Sequence, residues 1–342
     1  MKRHETSNEE GAVNHIKLRV TPWFISYLLL LLFVAFVFSC ATAPKASFSA
    51  EDENRELSLL PAGAKLYLWA DAVKGRPLLD VLSFEGMSGK DAARMLDSTG
   101  TAAAAVFSEG QGRRFFLAAT GDYPRVRANF SLIFTRGWNK LKGSGGNSYW
   151  YSQNDKIALA LGAKLALVSD TDPWAPPSEK SPAEIPQAFM EFRRPLVLAG
   201  WIPNPSQPIN GFLDSMGIPV QIPAEGFFFG AARIPAEKNS TDSAAAGKGP
   251  WELVFRIKTP SASSARSLLG LFSMARLFVS RGTGAVPVPG LSADKGSISP
   301  QEAVALLFAN APEQDGEFLT LRIGSLDEGK IASLFKMFSV KL

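Results

Sequence analysis

Histidine and cysteine are nearly absent: 342 residues hold two His and one Cys. Both histidines, His4 and His15, stand near the N-terminus, and Cys40 closes an apolar run, so residues 41–342 carry neither imidazole nor thiol. Ser-His-Asp and Cys-His nucleophilic sites need an imidazole beside the nucleophile, which excludes both beyond residue 40. His- or Cys-ligated zinc, copper and haem are excluded there on the same ground. A solitary cysteine forms no disulfide within its own chain. Charge of one sign is scarce too: the net is +4 and the pI about 9.1. Lys2, Arg3, Lys17 and Arg19 against Glu5, Glu9 and Glu10 place +1 of this in residues 1–40 and +3 beyond. So mild an excess, with no accompanying motif, argues against a nucleic-acid partner.

What is present is a globular composition, 46% hydrophobic and 20% charged, in a chain long enough for roughly two domains. Trp23–Ser39 (WFISYLLLLLFVAFVFS) is an uncharged 17-residue run preceded by Lys17 and Arg19. A basic flank before an apolar run is the pattern of a secretory signal or membrane anchor. As a helix this run reaches roughly 25 Å, short of a bilayer core of about 30 Å.

Cys40 follows the run directly, between Ser39 and Ala41. Val37-Phe-Ser-Cys-Ala41 resembles the lipobox of bacterial lipoproteins, in its relaxed form similar to that of spirochaete lipoproteins, with Phe38 where a small residue is usual. The resemblance implies cleavage before Cys40 and lipidation of Cys40, including an acyl chain such as palmitate. Residues 41–58 (ATAPKASFSAEDENRELS) are small, polar and then acidic, the composition of a flexible tether. Two or more acyl chains anchor a protein stably where one is marginal.

Beyond Leu59 strands and helices alternate. Lys65–Ala72, Thr101–Ser108 and Arg113–Thr120 read as strands, and a meander follows in Ser148–Ser152, Lys156–Gly162 and Leu165–Asp170. One unit recurs in Arg113–Phe134, Trp251–Phe272 and Glu317–Phe338: an alternating strand, a turn, and an amphipathic helix. Asp122, Thr259 and Ser325 are the expected caps, with Ser325 and Glu328 forming a capping box. Ile331, Leu334, Phe335 and Phe338 make one helical stripe. The expected fold class is α+β: two related modules of mostly antiparallel sheet with packed helices. The expected boundaries are a signal at 1–40, a tether at 41–58, module one at 59–172, a Pro-rich linker at 173–192 and module two at 193–342. Tandem modules behind a lipoprotein signal resemble a loose group of bacterial periplasmic lipoproteins, a likeness that implies no activity.

The catalytic motifs are few and weak. Ser292/Lys295 and Ser333/Lys336 match S-x-x-K, but chance gives about 1.6 such pairs in residues 41–342, and S-D-N and K-T-G are missing. Asp170 and Asp172, and Glu313, Asp315 and Glu317, sit at strand ends and an Asp-Gly turn, where turn chemistry explains them. Gly143–Asn147 lacks phosphate-loop spacing and leads into a strand. The three phenylalanines of Gly226–Arg233 must point to both sheet faces, so both faces are covered. Helices packed on both sides explain this, and the alternative is an apolar groove for an acyl chain or a partner segment.

The basic residues Arg113, Arg114, Arg125, Arg127, Arg136, Lys140 and Lys142 face only Asp122 in their stretch, a local +6. They are candidates for contact with anionic lipid headgroups, worth about 1 kcal/mol each, against an ordinary solvated surface. The sequence therefore predicts no enzyme, no cofactor and no metal site. It predicts a membrane-tethered envelope lipoprotein of scaffold or interaction type, with a carrier of lipid or another apolar ligand as the alternative. The expected partners are the membrane, through lipid on Cys40, and an envelope protein or apolar ligand.

Overall fold

The computed structural model describes residues 54–81, 96–108, 114–162, 164–175, 182–207, 221–234, 249–280 and 309–339, with Ala93, Asn210 and Leu306. Cys40, the signal, residues 41–53 of the expected tether, Arg113, Ser292, Lys295 and residues 236–248 and 281–296 lie outside the described residues. The last residues of that tether, Arg55–Ser58, are helical with Glu56 and Leu57 buried. Among the described residues no helix is long and apolar enough to cross a membrane.

The fold is α+β, as the alternation predicts, and its centre is one 12-stranded antiparallel sheet. The strands are β1 (Leu66–Asp71), β2 (Thr99–Val106), β3 (Phe115–Gly121), β4 (Trp138–Lys142), β5 (Ser148–Ser152) and β6 (Ile157–Leu161). They continue as β7 (Leu165–Ser169), β8 (Leu198–Ile202), β9 (Gly226–Arg233), β10 (Trp251–Lys258), β11 (Glu313–Asp315) and β12 (Phe318–Leu326). Their order across the sheet is β11-β12-β10-β9-β8-β1-β2-β3-β7-β6-β5-β4. From the central β1–β8 pair, β1-β2-β3 runs outward on one side and β8-β9-β10 on the other.

The helices are α1 (Arg55–Ser58), α2 (Arg76–Val81), α3 (Arg125–Phe134), α4 (Gln187–Arg193), α5 (Ala262–Ser280) and α6 (Glu328–Ser339). Strand alternation decides which face each helix covers, because successive side chains point to opposite sides. Tyr67, Trp69, Phe116, Ala118, Trp201 and Phe228 form one face, beneath α1 and α4. Phe115, Val168, Leu253, Leu319 and Ile323 lie on the other, beneath α2, α3, α5 and α6. In β9, Phe228 packs on Phe189 and Phe192 of α4, while Phe227 stacks on Phe255 across the opposite face. Phe228 is buried in the core, while Phe227 and Phe229 are half-buried on the opposite face.

The helix caps differ from expectation. Pro124 occupies the N-cap of α3 without any side-chain cap, so Asp122 does not serve there. Ser261, not Thr259, accepts from the N–H of Ser264 at the start of α5. Thr259 instead donates to Glu317 O. Asp327 Oδ1 accepts the N–H of Lys330, and Ser325 sits two residues earlier at φ 59°, so the capping box does not form. In the last two units the chain spends two more residues leaving the strand before it turns into helix.

Candidate functional site

Helix α3 carries two apolar stripes, and among the described residues only one has a partner. Ala128 and Leu132, one turn apart, are fully buried on Phe115, Trp150, Leu159 and Val168. Val126, Phe130, Ile133 and Phe134 fall at i, i+4, i+7 and i+8 on the outer side, and are 87%, 64%, 61% and 72% exposed. The Phe130 and Phe134 rings meet edge to face at 4.9 Å, one turn apart. Leaving such side chains in water forgoes roughly 1.5–3 kcal/mol each, and contiguous exposed apolar groups mark interaction surfaces. On the same face of the sheet, Leu271, Met274 and Leu277 of α5 are likewise exposed.

Cations ring the α3 stripe. Residues 125–142 contain no Asp or Glu. Arg125 opens the helix, Arg136 lies in the turn after it, and Lys140 and Lys142 project from β4, all four exposed. Lys140 faces the same side of the sheet as Trp150, its cross-strand partner, beside α3. The helix stops at Phe134, so Arg136 does not share a helical face with Arg125. Arg114 is removed from the cluster: its Nε meets Asp170 Oδ2 at 3.3 Å and its backbone N–H donates to the same oxygen at 2.9 Å. Arg127 has its backbone in α3, and its side chain lies outside the described residues.

Where β4 turns into β5, the surface hollows into a cavity of about 410 Å³. Arg125, Asn129, Lys140, Asn147, Trp150 and Trp174 contribute to its wall. Trp150 Nε1 donates to Asn129 Oδ1 at 2.7 Å, and Trp174 Nε1 donates to Ser148 O at 3.2 Å.

The remaining candidates resolve into structure. Asp172 accepts from the N–H groups of Ser144 and Trp174 and so closes the loop beside the cavity. Asp315 ends β11 at a turn where Gly316 takes φ 56°, the left-handed region that favours glycine. Among the described residues no three His, Cys, Asp or Glu side chains gather into a metal site.

No sequence family and no curated protein matches the chain. Its fold is similar to that of TP0453, a protein of the spirochaete Treponema pallidum. One crystal form of TP0453 aligns over 86% of this chain and 100% of TP0453, with a TM-score of 0.51 and 15% identity. A second aligns over 82% and 96%, with a TM-score of 0.51 and 17% identity. At such identity the likeness is one of fold.

Proposed function

We propose that the chain is a non-enzymatic cell-envelope lipoprotein, tethered through lipid on Cys40, which lays the outer face of α3 on an anionic membrane. The observation that carries this reading is the exposed row Val126, Phe130, Ile133 and Phe134. Apolar transfer dominates, at roughly 1.5–3 kcal/mol for each side chain fully buried. Arg125, Arg136, Lys140 and Lys142 then set the preference for anionic lipid, at about 1 kcal/mol each. A helix of this kind lies in the interface with its apolar side about 5–10 Å deep. The tether supplies proximity and the helix supplies orientation, which suits an interaction platform held at a fixed angle to the bilayer.

Cys40 is the only thiol, so Cys40→Ser combined with Phe130→Cys puts a single environment-sensitive dye on α3 of the full chain. On vesicles of phosphatidylcholine and phosphatidylglycerol, its emission should shift to the blue and be quenched by brominated acyl chains. The same dye at Gln187→Cys, at the start of α4 on the opposite sheet face, should remain aqueous. An aqueous spectrum at residue 130 on vesicle-bound protein would overturn the reading.

A further inference from the structure

We infer that the cavity beside α3 is a binding site for the phosphate of an anionic glycerophospholipid headgroup. This deepens the proposed membrane contact and rests on it. The lining is built of donors. Arg125 and Lys140 offer guanidinium and ammonium donors, and among the described residues neither has an ion-pair partner. No carboxylate lies among the described residues that line the cavity. The nearby Asp172 is turned to the loop, where it accepts from Ser144 N–H at 2.8 Å, Ser144 Oγ at 3.1 Å and Trp174 N–H at 2.9 Å.

Asn129 is fixed in orientation by chemistry. An indole N–H only donates, so the bond from Trp150 consumes Asn129 Oδ1 and leaves its NH₂ group to meet a ligand. Trp174 is held at two points, by its indole N–H to Ser148 O and by its backbone N–H to Asp172 Oδ1. Two cations, an oriented amide donor and indole walls form an environment for a group that only accepts hydrogen bonds and carries negative charge. A phosphate ester is such a group. The volume, about 410 Å³, falls within the range of small-molecule sites, roughly 300–1,000 Å³.

Position selects the lipid over other phosphates. Arg125 and Asn129 are one turn apart on α3 and line the cavity, while Val126 and Phe130, the next residue in each case, begin the exposed apolar row. A helix lying in the interface with that row in the acyl layer holds Arg125 and Asn129 at headgroup level. A phosphate in the cavity then sits where a lipid's glycerol and chains run on along Val126 and Phe130.

The test uses the full chain labelled with 5-fluorotryptophan in phosphatidylcholine nanodiscs, with the Trp150 and Trp174 signals assigned by substitution to Phe. Adding phosphatidylglycerol to the discs should move both signals saturably, and sn-glycerol phosphate should move them more weakly in the same direction. Lys140→Ala should weaken the response about tenfold or more, as loss of a charge-assisted bond does. Lys156→Ala removes the same charge from the turn between β5 and β6, outside both the cavity and the proposed membrane contact, and should stay within about twofold. Saturation by inorganic phosphate with no response to phosphatidylglycerol would assign the cavity to free phosphate and overturn the lipid site. Equal losses in the two lysine variants would reduce the effect to surface charge and also overturn it. The dye at residue 130 keeps the two readings apart: insertion there with unmoved tryptophans sinks the cavity alone, and an aqueous dye sinks the membrane contact.

Discussion

Trp251 Nε1 donates to Glu328 Oε1 at 2.9 Å, and this bond fastens the first turn of α6 to the buried start of β10. The Arg233 guanidinium lies 4.7 Å over the Trp251 ring and reaches the same carboxylate at 3.3 Å. The other half of the sheet holds a related Trp, Glu and Arg grouping. Trp69 Nε1 donates to buried Glu56 at 2.8 Å, with Arg193 4.6 Å over the ring. A buried indole needs one acceptor, and a carboxylate provides it; at Glu328 the Arg233 guanidinium also balances the charge. The two trios sit on opposite faces of the sheet, one securing α1 and the other α6.

The Glu328 trio makes stability depend on acid. The bond from Trp251, helped by Arg233, holds the Glu328 carboxyl below its ordinary value of 4.5. A depressed carboxyl contributes its full stabilisation above the unfolded-state value and loses it as pH falls through the folded one. Glu328→Gln keeps an acceptor for Trp251 but loses the charge. In urea denaturation of the full chain in non-ionic detergent, the unsubstituted protein should exceed Glu328→Gln at pH 6. The gap should begin to shrink as pH falls through about 4.5 and close below it. A gap that does not change between pH 6 and pH 3 would show that the carboxylate's charge contributes nothing.

Gly200 makes room for a ring. It lies opposite Phe229 in the β8–β9 register, and a Cβ added there would fall 2.6 and 2.7 Å from two Phe229 ring carbons. Gly200→Ala should therefore destabilise by about 1–3 kcal/mol, the usual cost of overpacking. Adding Phe229→Leu should recover part of that loss, because the two changes share one space. Additive losses in the double variant would place the cost in the backbone instead.

Most of the sheet was legible, because its strands alternate or run apolar between turn residues. The exception was β4: four residues of Trp138–Lys142 are exposed, so it shows no buried alternation to read. Helix α4 overlaps the stretch 173–192, whose prolines read as linker, and buries Phe189 and Phe192 in the core. At seven residues it is too short to show a period. The basic cluster of the candidate site was visible as composition, yet its decisive feature was not. In RVRANFSLIF the larger stripe, Val126, Phe130 and Ile133, reads as the core side. The sheet instead takes Ala128 and Leu132, which pack with Trp138 and Trp150. Which stripe turns outward is decided by tertiary packing, and periodicity is blind to it.

Cys40 is where sequence alone still carries the argument. The single thiol, placed directly after an apolar run and before a small residue, resembles the acylated cysteine of a bacterial lipoprotein. The intact mass of full-length protein extracted from its own membranes should then correspond to a chain starting at Cys40 and heavier by a diacylglyceryl group. Cys40→Ser should abolish both the cleavage and the added mass. A species that keeps residues 1–39 would mean that Trp23–Ser39 stays as a signal anchor. The α3 face would then be presented from a protein-borne anchor rather than a lipid one, and the residues before Trp23 would remain on the other side of that membrane.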